Sequence, residues 1–183
     1  MSVVYHYTDT GRLPWIIKAG ELRPGANRIG GYPNPDFLWA TTSPVGDRTA
    51  SASREALRSG LTRTVRFVLS AEDFIPWPQI LGGYPAWTPD HIMRLEKAAA
   101  GLSSPTTWRC RAAALPRSAW LGIETRSYID KRWLPLSLDE PVIEDGAALG
   151  LWIDHRLYVS ERIESLSGAT GYRVTVGTRK GAA

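Results

Sequence analysis

The chain of 183 residues has little of the residue types that build covalent cross-links and metal clusters. It holds one cysteine, Cys110, and three histidines, His6, His91 and His155. A single cysteine excludes an intramolecular disulfide and a cysteine-based metal cluster. The histidines lack the paired spacing of a zinc hydrolase site, so we expect no metal centre.

Long apolar runs are also absent, although 43% of the residues are hydrophobic. A membrane-spanning helix needs about 20 consecutive apolar residues, so we expect no contact with membranes. The first residues lack the basic and apolar regions of a secretion signal. A lone cysteine suits a reducing compartment, and the sequence therefore predicts a cytoplasmic protein.

Three motifs of nucleotide-binding and hydrolytic enzymes are missing. No Gly-x-Gly-x-x-Gly follows a predicted strand, and no phosphate-binding loop with Gly-Lys-Ser/Thr occurs. No Gly-x-Ser-x-Gly elbow marks a nucleophilic serine. Carboxylates are plentiful, but no pair stands out as the two acids of a glycosidase.

The composition is distinctive in its basic charge and its tryptophan content. The formal net charge is +4 and the calculated pI is about 9.4, with basic residues interspersed among acids. This bias fits an anionic small ligand or a nucleic acid, and favours neither strongly. Several of the 8 tryptophans stand beside proline or glycine, as in Pro76-Trp77-Pro78. That placement favours aromatic walls and loop anchors over one uniform core, while packing in the core is the alternative for any single tryptophan.

The opening segment predicts a strand followed at once by a helix. Residues 3–8 alternate along a two-faced strand, so His6 and Thr8 share one face. A helix within residues 9–22 would be capped by Asp9 or Thr10 and closed by Gly20. These polar groups are typical of the floor of a ligand site, while a hydrogen-bonded core histidine is the alternative for His6.

The remaining pattern predicts an α+β protein. Two small packed antiparallel or mixed sheets with flanking helices, in a single domain of residues 1–183, would account for it. Predicted strands cover residues 37–43, 62–69, 151–159 and 172–176, and residues 161–166 bridge the last two. Predicted helices run from Asp47 or Thr49 to Arg58 and from Thr88 to Gly101. Residues 25–36 form a lid or a plain connector, and residues 75–87 are irregular.

Three stretches carry a resemblance to a known family. Tyr5-His6-Tyr7-Thr8, followed by Leu13, Ile16-Ile17 and Gly20-Glu21-Leu22, resembles the opening of ADP-ribosyltransferase-fold proteins, especially bacterial and phage-type toxins of the DarT kind. Residues 37–42 are similar to the second core strand of that superfamily. Residues 137–143 resemble the step from loop to strand that bears its late glutamate. The resemblance covers the first seventy residues reasonably and the rest loosely, and Pro141 departs from the family pattern.

The resemblance implies an enzyme that uses NAD as substrate. Glu140 would be the catalytic acid beside the ribose, and His6 would hold the other ribose or the pyrophosphate. The further NAD-binding residues would be Tyr7, Thr8, Trp39, Thr41 and Arg48. Three other glutamates are alternatives for the catalytic acid: Glu124, Glu144 and Glu161. Two other arginines are alternatives for the residue that faces the pyrophosphate: Arg28 and Arg66.

The implied function is an ADP-ribosyltransferase or NAD glycohydrolase with a toxin or phage-related role. Its acceptor would be a macromolecule, with DNA or RNA ahead of protein, and an antitoxin would be a further partner. The RNA 2′-phosphotransferase branch of the fold is a related interpretation. A catalytically inactive module that binds a nucleotide or a partner, as an inhibitor or counter-defence protein, is the non-enzymatic alternative. Residues 75–133 have no functional assignment.

Overall fold

The computed structural model describes residues 2–25, 31–33, 36–48, 53–164 and 170–178. These residues form a mixed α+β fold with mostly antiparallel sheets and few helices, which confirms the predicted α+β class. The helices are α1 (Leu13–Ala19), α2 (Arg54–Arg58), α3 (Ile80–Gly83) and α4 (Pro89–Ala99). The strands are β1 (Val3–Asp9), β2 (Glu21–Leu22), β3 (Leu38–Thr41), β4 (Thr64–Ser70), β5 (Ile75–Pro76), β6 (Trp108–Arg111), β7 (Leu115–Pro116), β8 (Trp120–Arg126), β9 (Leu134–Leu136), β10 (Ile143–Asp145), β11 (Ala148–Ile153), β12 (Arg156–Glu164) and β13 (Thr170–Thr178).

The strands of the described residues form three sheets, where the sequence predicts two. A seven-stranded sheet has the order β5-β6-β3-β1-β4-β8-β9, and a four-stranded sheet has the order β10-β11-β12-β13. Strands β2 and β7 make a separate pair. The four-stranded sheet is a meander, because each strand pairs with the next one along the chain.

The chain divides into two compact units, and each is described by itself. Unit 1 comprises Met1–Tyr7, Glu21–Ala50 and Phe67–Leu121, and unit 2 comprises Thr8–Gly20, Ser51–Arg66 and Gly122–Ala183. Three of the five boundaries fall within strands, namely β1, β4 and β8. The single domain inferred from the sequence stays a prediction.

Unit 1 is organised around an aromatic cluster. Four of the eight tryptophans belong to it: Trp39, Trp77, Trp87 and Trp108. Trp77 is fully buried, and the other three pack around it together with Phe37, Ile80 and Cys110. Packing in the core, the alternative left open for any single tryptophan, is what these four side chains show. Pairwise edge contacts between large rings bury far more apolar area than isolated loop positions would.

Burial also determines the state of the lone cysteine in unit 1. Cys110 lies on β6 and has no exposed surface. Desolvation raises the pKa of its thiol well above the ordinary value. The side chain therefore stays neutral and acts as a small apolar group in the aromatic cluster.

In unit 2, helix α1 begins differently from the prediction. Its N-cap is Arg12, not Asp9 or Thr10. The Asp9 carboxylate instead accepts hydrogen bonds from the backbone N–H groups of Gly11 and Arg12, which forms a turn before the helix. The predicted closure is confirmed, since Gly20 adopts a left-handed φ of 69° after the last turn.

Helix α2 of unit 2 starts later than predicted. Its N-cap is Ser53, whose hydroxyl accepts from the backbone N–H of Ala56, while Thr49 lies outside the described residues. In unit 1, the other proposed cap, Asp47, accepts a hydrogen bond from the hydroxyl of Ser103. The Asp47 carboxylate is thus bonded to a side chain distant in the sequence, and a local sequence pattern does not predict such a contact.

Helix α4 of unit 1 follows the prediction closely. Thr88 is its N-cap, and Pro89 occupies its first turn. The Nδ1 atom of His91 accepts from the Thr88 backbone N–H, so this half-buried histidine completes a capping box. The preceding residues, predicted to be irregular, contain strand β5 and helix α3.

The predicted strand over residues 151–159 is wrong, because two strands of unit 2 occupy that stretch. Asp154 and His155 have φ values of 51° and 63°, and they form the turn between β11 and β12. Positive φ at both central positions is the geometry of a tight hairpin turn, usually taken by Asn or Gly. Strand β12 then continues to Glu164, so residues 161–164 belong to a strand; residues 165 and 166 lie outside the described residues.

The longest helix among the described residues has 11 residues, and none has the length and apolarity to cross a membrane.

Candidate functional site

His6 lies on β1 in unit 1 and is half-buried. Its Nδ1 atom is 2.7 Å from the backbone carbonyl oxygen of Trp39 on β3. A carbonyl oxygen only accepts, so Nδ1 carries a proton, and when the ring is neutral the lone pair is on Nε2. The ring centroid lies 6.2 Å from that of Phe67, which restricts rotation of the imidazole. The contact holds the imidazole in a defined tautomer.

Trp39 contacts His6 through its backbone carbonyl, and its side chain belongs to the aromatic cluster. Its indole is half-buried, and its Nε1–H donates to Oδ1 of Asp36 at 2.9 Å. The ring centroid lies 5.2 Å from that of Trp77 and 5.9 Å from that of Trp108. These rings hold the indole in the aromatic cluster, while its remaining surface is accessible from outside unit 1.

Asp36 is a site residue that the sequence did not single out. Burial raises the pKa of its carboxyl, while hydrogen bonds from the Phe37 backbone N–H and the Trp39 indole act in the opposite direction. Carboxyls with raised pKa values are common in active sites, because such groups exchange protons nearer to neutral pH. In the sequence it stands in an ordinary loop before β3, three residues from Trp39, and only its burial in the folded chain distinguishes it.

The raised pKa of Asp36 predicts a pH dependence of stability. A folded-state pKa above the unfolded value means that the native state binds more protons, so stability falls as the pH rises from about 4 toward the folded-state pKa. Asp36→Asn keeps the oxygen that accepts both hydrogen bonds and removes the charge. We expect this variant to have a higher Tm than wild type at pH 7 and an equal Tm at pH 3.5, measured by circular dichroism.

Asp130→Asn is the matched control for that prediction. Hydrogen bonds from Arg132 lower the pKa of the exposed Asp130 carboxyl, so the sign of its effect is opposite. Its loss should leave Tm at pH 7 unchanged or lower. A drop in Tm for Asp36→Asn at pH 7 would show that the charged carboxylate stabilises unit 1.

Two predicted hydroxyl ligands of unit 1 are bonded within the protein. The Tyr7 hydroxyl donates to the backbone carbonyl of Ser43 at 2.7 Å. Thr41 is 2% exposed, and its hydroxyl donates to Thr107 and accepts from the Ser43 backbone N–H. Both side chains anchor the end of β3, and their role in binding NAD stays a prediction.

The arginines proposed for the pyrophosphate occupy different surroundings. Arg48 of unit 1 is exposed, and its Nη1 donates to the backbone carbonyl of Gly101 at 3.5 Å. Arg66 of unit 2 is buried, and its guanidinium lies 4.1 Å from the ring centroid of Trp133. Arg28 lies outside the described residues.

Unit 2 contains Thr8 and all four candidate acids. Thr8 is buried on β1. Glu140 follows a turn in which its backbone N–H donates to the carbonyl of Ser137, and it lies between β9 and β10. The other acids are on strands and form ion pairs: Glu124 with Arg66, Glu144 with Lys18, and Glu161 with Arg173.

The structure thus joins His6 directly to Trp39 in unit 1 and adds Asp36 to them. Tyr7 and Thr41 belong to the same unit, while Thr8 and Glu140 belong to unit 2. Among the described residues, no group of three or more histidine, cysteine or acidic side chains is arranged to hold a metal ion. His6 thus offers a ring nitrogen, while the Trp39 indole and the Asp36 carboxyl form a separate hydrogen-bonded pair in the same unit.

Comparisons of the chain with protein-family models, with curated proteins and with solved structures found no match.

Proposed function

We propose that this chain is an ADP-ribosyltransferase-fold enzyme that cleaves the nicotinamide–ribose bond of NAD and transfers ADP-ribose to a macromolecule. DNA or RNA ranks ahead of protein as acceptor, and water would take its place in NAD glycohydrolysis. The observation that carries the proposal is the hydrogen bond from His6 Nδ1 to the Trp39 carbonyl. It makes the two stretches that resemble the family's opening motif and second core strand immediate neighbours.

The chemistry of this bond cleavage requires two kinds of group. The ribose passes through an oxocarbenium-like transition state, whose positive charge a nearby carboxylate stabilises. The departing nicotinamide is a flat aromatic ring, which an indole such as Trp39 can stack against. His6 Nε2, held in one tautomer, would accept a hydrogen bond from a ribose hydroxyl.

Glu140 is the acid that we propose for this reaction. Glu124, Glu144 and Glu161 each have a cationic partner, so their negative charge is already compensated. Within the described residues, Glu140 has no ion pair. A carboxylate without a cationic partner stabilises a developing positive charge more effectively.

An inactive module that binds a nucleotide or a partner is the second candidate, and one observation favours it. The hydroxyls of Tyr7 and Thr41 bond to Ser43 and Thr107 within unit 1, so two residues of the implied site have structural partners. A site that had lost catalysis would keep such anchoring bonds and dispense with Glu140. For either candidate, a cytoplasmic toxin with an antitoxin, or a phage counter-defence protein, is the biological role that we propose.

The proposal is tested by measuring nicotinamide release from NAD by the purified chain. The reactions contain no acceptor, single-stranded DNA, RNA or a protein extract, and liquid chromatography follows the product. Release that depends on an acceptor would support the transferase, and release without one would support the glycohydrolase. No release together with no NAD-induced rise in Tm would overturn the proposal and leave the binding module.

A further inference from the structure

Two arginine side chains of unit 2 stack on two aromatic rings. The guanidinium carbon of Arg162 lies 4.1 Å from the centroid of the Trp15 ring. That of Arg12 lies 5.5 Å from the centroid of the Tyr172 ring. Arg162 and Tyr172 are directly opposite each other in the register of β12 and β13. The four side chains therefore form one contiguous surface, here called the arginine–aromatic patch.

Buried hydrogen bonds and close packing beneath the patch fix the orientation of its side chains. The hydroxyl of Ser160, which is fully buried, accepts a hydrogen bond from Trp15 Nε1 at 3.1 Å. The same hydroxyl donates to the backbone carbonyl of Gly11. A Cβ at Gly11 would lie 2.9 Å from a methyl carbon of Val174, so only glycine allows this close packing. The orientation of the aromatic rings is thus set before any ligand binds.

The polar atoms of the patch are available to a ligand. Arg162 is exposed, and within the described residues its guanidinium has no carboxylate or carbonyl partner. The Tyr172 hydroxyl likewise has no hydrogen-bond partner among those residues. Arg12 is paired with the buried Asp9, yet about half of its side-chain surface is exposed. Trp15 and Tyr172 are half-buried, which leaves part of each ring accessible.

We infer that the arginine–aromatic patch binds single-stranded nucleic acid. Proteins that hold single strands combine cationic groups for the backbone with aromatic rings on which unpaired bases stack. Planar guanidiniums pair with phosphate oxygens and also stack on bases, and here two of them alternate with two rings. The chain's net charge of +4 complements the same ligand. The inferred binding of nucleic acid does not rest on the proposed NAD chemistry. Only the use of the patch to present an ADP-ribose acceptor rests on it.

Strand β12 carries two acids near Arg162, one on each face of the sheet. Glu161 faces the opposite side of the sheet and is paired with Arg173. Glu164 is the acid two positions beyond Arg162 on the same strand, and it forms no ion pair with Arg162. A duplex hides its bases from the two rings, so an unpaired strand uses the patch more completely.

The test is fluorescence anisotropy with a labelled 20-nucleotide oligothymidine, the corresponding oligouridine and a 20-base-pair DNA duplex, without NAD. Arg162→Ala should weaken binding of the single strands about tenfold and reduce the salt slope by about 0.7, the value for one phosphate contact on a single strand. Tyr172→Leu should weaken binding and leave the salt slope unchanged, because it removes stacking without removing charge.

Arg173→Ala is the matched control, since it removes one exposed arginine from the opposite face of the same sheet. We expect its affinity to stay within about twofold of wild type. Circular dichroism of each variant checks the fold. Equal losses for Arg162→Ala and Arg173→Ala, equal affinity for duplex and single strand, or no binding at 50 mM salt would each overturn the inference. Nicotinamide release is measured separately, so either proposal can fail without the other.

Discussion

Replacing His6 with alanine is expected to lower the rate of nicotinamide release from NAD by at least about 100-fold, the range seen when a single preorganised polar contact to a transition state is lost. The imidazole is held by the Trp39 carbonyl in one tautomer, so its Nε2 can act only at one position. Alanine removes both nitrogens. The measurement is the initial rate of nicotinamide release at saturating NAD and acceptor.

His6→Asn separates catalysis from folding in that experiment. Its side-chain amide can still donate to the Trp39 carbonyl, but it has no counterpart of Nε2. We expect His6→Asn to retain the wild-type Tm and still lose turnover. His91→Ala is the matched control, because His91 is half-buried and contacts the α4 cap and nearby rings. Full activity in His6→Asn would assign His6 a purely structural role.

Substitution of the individual glutamates tests which of them is the catalytic acid. Glu140→Gln should lose turnover to the same extent as His6→Asn, whereas Glu144→Gln should retain it, since Glu144 is an exposed acid paired with Lys18. Activity that survives Glu140→Gln and vanishes in Glu124→Gln would move the acid to β8. In that case release of Glu124 from Arg66 would be part of the reaction.

Replacing Trp77 with alanine is expected to destabilise the protein by about 3–5 kcal/mol, the usual cost of removing a large buried aromatic side chain. Trp77 is 1% exposed, and its ring lies between 5.2 and 5.8 Å from the rings of three other tryptophans. Its Nε1–H also donates to the Glu96 carboxylate at 2.8 Å, so the substitution leaves that acceptor without its partner. Urea unfolding followed by tryptophan fluorescence measures the loss.

Met93→Ala is the control for the core prediction. Met93 lies on α4 in the same unit and is 61% exposed, so its loss should change the free energy of unfolding by less than about 0.5 kcal/mol. A similar small change for Trp77→Ala would mean that the aromatic cluster is not the stabilising core of unit 1.

Local signals were sufficient for the elements whose ends are determined by nearby residues. The alternation of residues 3–8 marks β1, the left-handed Gly20 ends α1, and Thr88-Pro89 begins α4. Each of these depends on backbone geometry within about four residues. The turn at Asp154 and His155 was missed because it contains no glycine, although Asp and His both tolerate positive φ.

The candidate site likewise has features that the sequence determined and features that only the tertiary structure determined. The sequence by itself determined which chemical groups are present: an imidazole on the first strand, tryptophans, and several late glutamates. Only the tertiary structure decided which of them meet, because His6 and Trp39 are 33 residues apart, and Trp15 and Ser160 are 145 apart. Likewise, the raised pKa of Asp36 comes from burial, which depends on how strands pair and rings pack over long separations, and no local pattern encodes that.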